Sequence, residues 1–166
     1  MSVPSLITMF TDAGYCPERK IGTWAVWAKR DGKTFRYSGV LRGEVDDSAI
    51  AELRATVNGV CAVLAAMKPE KATKIIAQSD CESAVGALLG SHYKRKEARK
   101  RVESATNLLH KRLRETGVVV EYRHVSGHRG TVNPRAAVNT WCDQECTRLL
   151  RQARKSAGQK TEAEAA

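Results

Sequence analysis

Residues 5–41, SLITMFTDAGYCPERKIGTWAVWAKRDGKTFRYSGVL, decide the fold class. The run 5–12 is apolar up to Asp12 and reads as a strand buried on both faces. Residues 21–28 hold Ile21, Thr23, Trp24, Val26 and Trp27, the β-branched and aromatic side chains that fit a pleated surface. Asp31-Gly32 supplies a tight turn, and Phe35, Tyr37, Gly39 and Leu41 then alternate with Arg36, Ser38 and Val40. A third strand, paired to the second as a hairpin, is expected over 35–41. Three consecutive strands therefore open the chain.

Past this meander the period changes. Asp46, Asp47 and Ser48 offer N-cap chemistry to a helix with the stripe Ile50, Leu53, Val57, Val60, Leu64, Met67, which Lys68-Pro69 ends. A fourth strand is expected over 73–79, with Asp80 at its end, then a short helix over 81–89 and a long basic helix over 95–115. A fifth strand follows at 118–125. Residues 126–135, with Gly127, Gly130 and Pro134, form a loop, and a last helix is expected over 138–155. The order β-β-β-α-β-α-α-β-α predicts an α/β fold: a five-stranded mixed sheet, an antiparallel meander first, with helices on both faces. One domain is expected over 1–155, with 156–166 a disordered tail.

The length of 166 residues suits one domain, and 42% hydrophobic with 28% charged residues excludes collagen-like, low-complexity and wholly disordered classes. The uncharged stretch 55–67 is too short to cross a bilayer, and residues 2–11 lack the basic leader and cleavage site of a signal peptide. Five scattered cysteines without a CxxC pair argue against a disulfide framework or zinc site, and suggest reduced thiols in the cytoplasm. A monomer is expected. The net charge is +10, and residues 91–115 hold nine bases against three acids. Such a concentration attracts polyphosphate, although a solvated helix face has the same composition.

Four acids stand at informative places: Asp12 and Asp80 at strand ends, Glu52 near the start of the first helix, Asp143 in the last. Sites in α/β sheets gather at strand carboxyl ends. Carboxylates brought together without a cation raise one another's pKa, so a cluster of four calls for metal. Hard oxygen donors suit Mg²⁺, with Mn²⁺ as substitute, and two such ions can clamp the attacking and leaving oxygens of a phosphodiester.

Phe10-Thr11-Asp12-Ala13-Gly14, Ala51-Glu52-Leu53-Arg54-Ala55, Gln78-Ser79-Asp80 and Asn139-Thr140-Trp141-Cys142-Asp143 occur in the order found in type 1 ribonuclease H. With the loop Val125-Ser126-Gly127-His128-Arg129-Gly130, the chain resembles that family over nearly its whole length to Leu150. The resemblance implies endonucleolytic hydrolysis of the RNA strand of an RNA-DNA hybrid, with two Mg²⁺ ions and 5′-phosphate and 3′-hydroxyl products. Asp12 would bridge both metals, Glu52 and Asp80 would hold one, and Asp143 the other. His128 would assist proton transfer or product release. The basic segment with Lys94, Arg95, Lys96, Arg99 and Lys100 stands where relatives carry a basic protrusion that grips the hybrid by its phosphates. Backbone near Gly14, together with Glu52, would read the 2′-hydroxyl.

Departures from the family pattern bear on the substrate. Asp47, Ser48 and Ala49 replace a common Thr-Asn-Asn that in the family touches the DNA strand; Ser48 would substitute in part, while Asp46 and Asp47 would weaken the contact. His128 and Asp143 lie fifteen residues apart, a longer span than in familiar bacterial members. Two alternatives stay open: a resolvase-like nuclease of the same fold that cuts DNA, and a catalytically degenerate nucleic-acid-binding module. Trp24, Trp27 and Trp141 are read as packing residues, Cys142 and Cys146 as buried thiols, and His124 as a core histidine.

Overall fold

The sheet begins as the alternation predicts, with β1 (Leu6–Cys16), β2 (Ile21–Arg30) and β3 (Lys33–Val40) in antiparallel succession. Helix α1 (Ser48–Met67) crosses to β4 (Lys74–Ser79), and α2 (Glu82–Leu88) and α3 (Lys96–Thr116) lead to β5 (Val119–His124) and α4 (Pro134–Glu164). The computed structural model describes residues 5–90, 96–126 and 134–164. The strand order is β3-β2-β1-β4-β5, with β4 parallel to both β1 and β5.

Alternation along β1 sorts its side chains between two helical layers. Ile7 and Met9 join the larger core under α1 with Val26, Val60 and Ile75, and Thr11 Oγ1 is 3.0 Å from Thr56 Oγ1 of α1. Phe10 packs on the other face with Ala25, Cys142 and Cys146, under α4. α3 lies against α1 and buries Leu109 completely. By length and apolarity α1 could span a bilayer, a test that the core helix of a sheet protein also passes. Here it packs on β1 and β2.

Asp47 caps α1 by accepting a hydrogen bond from the Ile50 N–H at 2.8 Å. How closely the helix approaches the sheet is set by Gly59. A Cβ there would sit 2.5 Å from Thr11 Cγ2 and 3.1 Å from Met9 Cε. Gly59→Ala therefore forces α1 outward. The helix gains about 1 kcal/mol in propensity, but overpacking against a paired strand costs up to ~3 kcal/mol. A net loss of about 1–2 kcal/mol, with Tm lower by ~2–8 °C in a thermal melt, is expected. An unchanged Tm would show that the helix has slack at this point.

Two boundaries differ from the sequence reading. β1 does not end at Asp12: it continues four residues further because β2 pairs with it as far as Cys16↔Ile21. The segment 156–164 is not a disordered tail but the last turns of α4. Its Ala, Gln, Lys and Glu residues are strong helix formers with no proline, and extending a docked helix avoids the cost of nucleation.

Candidate active site

A notch in the sheet positions the acids. β4 stops at Ser79, and its pairing with β1 ends at Phe10↔Gln78, whereas β1 runs on beside β2 alone. Beyond Phe10 one edge of β1 is therefore open. Asp12 lies two residues into the opening, Asp80 follows the last residue of β4, and Glu52 comes from the second turn of α1. The notch brings the three together: carboxylate oxygens of Asp12, Glu52 and Asp80 lie within 4.8 Å of one another.

Each acid is held by its own element. Ala13 N–H donates to Asp12 Oδ1 at 2.9 Å, and only 8% of Asp12 is exposed. Thr56 Oγ1, the partner of Thr11, also donates to the Glu52 carbonyl at 3.1 Å and so ties that turn of α1 to β1. Ser79 Oγ accepts from the Cys81 N–H at 3.1 Å, turning the chain at Asp80. Asp143 is exposed on α4. That helix is docked by Thr23 Oγ1, which donates to the Cys146 carbonyl at 3.0 Å, and by the Cys146 thiol, which donates to the Asp12 carbonyl at 3.3 Å.

Together the acids are unfavourably charged. Burial, then the charge of Asp80 and that of Asp143, raises the Asp12 carboxyl to about 7, against the pull of the Ala13 N–H. Burial, followed by the charges of Asp12 and Asp80, pushes Glu52 up to about 9. Glu52 Oε2 is buried and has no hydrogen-bond partner among the described residues. A buried acceptor without a donor costs free energy that a cation would recover. Among the described residues the close group offers carboxylate oxygens alone, a donor set that suits a hard divalent ion, so these residues fit the metal their pattern implies. Asp143 stands outside the close group of three but near enough for its charge to act on Asp12.

The structure places the other residues of the sequence reading. Gly14 has a packing reason to be glycine: a Cβ would lie 2.5 Å from Thr23 Oγ1 and 3.3 Å from the Cys146 carbonyl, prising α4 off the hairpin. Asp46 and Asp47 are not free charges along a phosphate path. Asp47 caps α1, and Asp46 pairs with Arg101 at 3.2 Å, which also sets the basic end of α3 beside the helix that carries Glu52. Ser48 is exposed as the first residue of α1. Lys96, Arg99 and Lys100 are exposed on α3, with Arg99 bonded to Glu103 at 3.0 Å. Lys94, Arg95 and His128 lie outside the described residues.

His124 is not a core histidine. It is exposed at the end of β5, its Nε2 3.2 Å from the Asp80 carbonyl, because the β4–β5 register sets it beside Ser79. Its place at the end of a strand, where α/β sheets gather their sites, was the available signal. Cys142 and Cys146 are buried as expected, Trp24 is in the core, and Trp141 is partly buried with the Arg36 guanidinium 5.4 Å above its ring.

A model of the RNase H family matches residues 4–151. No curated protein matches the chain. Among solved structures, the N-terminal RNase H domain of Rv2228c from Mycobacterium tuberculosis, a fusion with maltose binding protein, is similar with a TM-score of 0.65 and 15% identity, over 92% of this chain and 99% of that one. LC11-RNase H1 in complex with an RNA/DNA hybrid gives a TM-score of 0.64 and 16% identity, over 89% and 98%. RNase H1 from the halophilic archaeon Halobacterium salinarum NRC-1 gives 0.64 and 16%, over 89% and 98%. At such identities the likeness is one of fold.

Proposed function

The chain belongs to the RNase H family, and from that premise we propose that this ribonuclease H hydrolyses the RNA strand of RNA-DNA hybrids with two Mg²⁺ ions, leaving 5′-phosphate and 3′-hydroxyl ends. One observation carries the reading: three carboxylates from three segments meet at one notch, with a buried Glu52 oxygen that has no donor among the described residues. Binding alone requires no such cluster, since acids facing phosphate weaken affinity unless cations intervene. The hybrid in the complex of LC11-RNase H1, a protein of the same fold, supports the choice of substrate.

Asp12, Glu52 and Asp80 would hold one cation, and Asp12 with Asp143 the other. Bound there, the pair supplies Lewis-acid charge and an activated water for in-line displacement at phosphorus. The chain itself fixes the donors before substrate arrives. Ala13 N–H orients Asp12, Thr56 fixes the turn that carries Glu52, and the buried Cys146 side of α4 sets where Asp143 stands. His128 would assist proton transfer or product release. The exposed bases at the start of α3 would hold phosphates of the hybrid beside the N-terminus of α1.

Matched RNA-DNA, RNA-RNA and DNA-DNA duplexes, digested with Mg²⁺ and analysed for end groups, test this. Cutting only the RNA of the hybrid, with 5′-phosphate ends, is the expected result. Cutting DNA would transfer the protein to a resolvase-like role, and retention of every duplex uncut would make it a binding module.

A further inference from the structure

Beyond Asp143, α4 continues for more than five turns, along a face that the catalytic reading does not use. That helix lies on β1, β2 and β3 through Cys142 and Cys146, so the side bearing Asp143 looks to solvent. Thr147, Arg151 and Lys155 follow Asp143 at intervals of four, the ridge along which helix side chains stand one above another. With Gln144, Arg148 and Gln152 they line a shallow groove of about 510 Å³.

Charge along this groove changes sign at Asp143. Past it the lining holds no acid. Arg148 is taken by Glu145, at 2.7 and 2.9 Å, and also donates to Gln152 Oε1 at 3.1 Å. Glu145 in turn accepts from Ser38 Oγ of β3 at 2.8 Å, which draws that acid toward the sheet and away from the ridge. Arg151 and Lys155 are exposed and have no acidic partner among the described residues. Two uncompensated cations in line with the site, flanked by neutral hydrogen-bonding groups, complement a polyphosphate and not an acidic protein's apolar anchor.

We propose that this ridge is a phosphate track: Thr147, Arg151 and Lys155 hold the backbone of the nucleic acid as it leaves the notch on the Asp143 side. The proposal rests on the nuclease reading for its substrate and adds a second grip to that of α3. From Asp143 to Lys155 the ridge spans ~18 Å, the axial reach of about 5 base pairs. Contacts of this kind fix position and register and carry no sequence information. A duplex too short to reach Arg151 gains nothing from them.

That length dependence is the test. Binding of labelled hybrids of about 18 and about 6 base pairs, the shorter centred on the notch, is followed by anisotropy across a salt series for the parent and for Arg151→Ala/Lys155→Ala. The double variant should bind the long hybrid about 10-fold less tightly at 0.1 M salt, with its salt slope smaller by about 2 and its affinity for the short hybrid unchanged. Arg151→Lys/Lys155→Arg, which keeps both charges, should restore the slope. Equal losses on both lengths, or an unchanged slope, would overturn the track. Cleavage is scored separately: a parent that binds both hybrids and cuts neither would refute the nuclease reading while leaving the slope result standing.

Discussion

Asp12→Asn should lower cleavage of an RNA-DNA hybrid on the order of 10³-fold, with the fold intact. Asp12 is the acid that both others in the notch touch electrostatically, and the Asp143 charge also reaches it. Asn keeps the volume and the acceptor for the Ala13 N–H, so β1 loses no hydrogen bond. What disappears is the negative charge with which Asp12 would hold the proposed cations. A loss of that size corresponds to about 4 kcal/mol of transition-state stabilisation. Single-turnover cleavage with Mg²⁺, beside a circular dichroism spectrum, checks it. Residual activity within tenfold of the parent would show that Asp12 is not a metal bridge.

Glu52→Gln should make the metal-free protein more stable and flatten its stability against pH. Asp12 and Glu52 ordinarily titrate near 3.8 and 4.5, but stand at about 7 and about 9 in the folded protein. Between these limits the folded state binds more protons than the unfolded state, so stability falls as pH rises from about 4 to about 9. Below that window both states are protonated and the penalty vanishes. Gln has no proton to lose, and its amide can donate toward Asp12 where Glu52 Oε2 is orphaned. At pH 8 and without metal, Tm of the variant should exceed that of the parent by roughly 3–6 °C. Mg²⁺ should then stabilise the parent and leave the variant nearly unmoved. A parent whose Tm rises with pH across this range would contradict the argument.

Much of this was written in the order of elements. The alternation of residues 35–41 and the stripe from Ile50 to Met67 lead directly to β3 and α1, because a period of two matches a pleated strand and a period near 3.6 matches a helix with one apolar side. The acids were legible as a set since Asp12 closes one apolar run, Asp80 follows another, Glu52 lies near the start of the helical stripe, and all four stand in the order of one family's motifs. The notch was not, because it depends on where β4 stops against β1, a register that no local pattern states. For the same reason β1 looked shorter than it is: Ala13 and Gly14 are weak strand formers that interrupt the apolar run, and they are held by β2. Gly59 and the Asp46–Arg101 pair belong to the packing of α1 on the sheet and beside α3, and a residue's neighbours across such a contact are absent from its sequence window.

One cleavage experiment bears on the central claim most directly. A hybrid labelled on its RNA strand, and the same hybrid labelled on its DNA strand, are mixed with metal-free protein, and Mg²⁺ is then added. The notch of Asp12, Glu52 and Asp80 predicts no product before the addition, and RNA fragments alone after it. Cleavage at equal rate in a chelator, or none at any Mg²⁺ concentration that stabilises the fold, would contradict it.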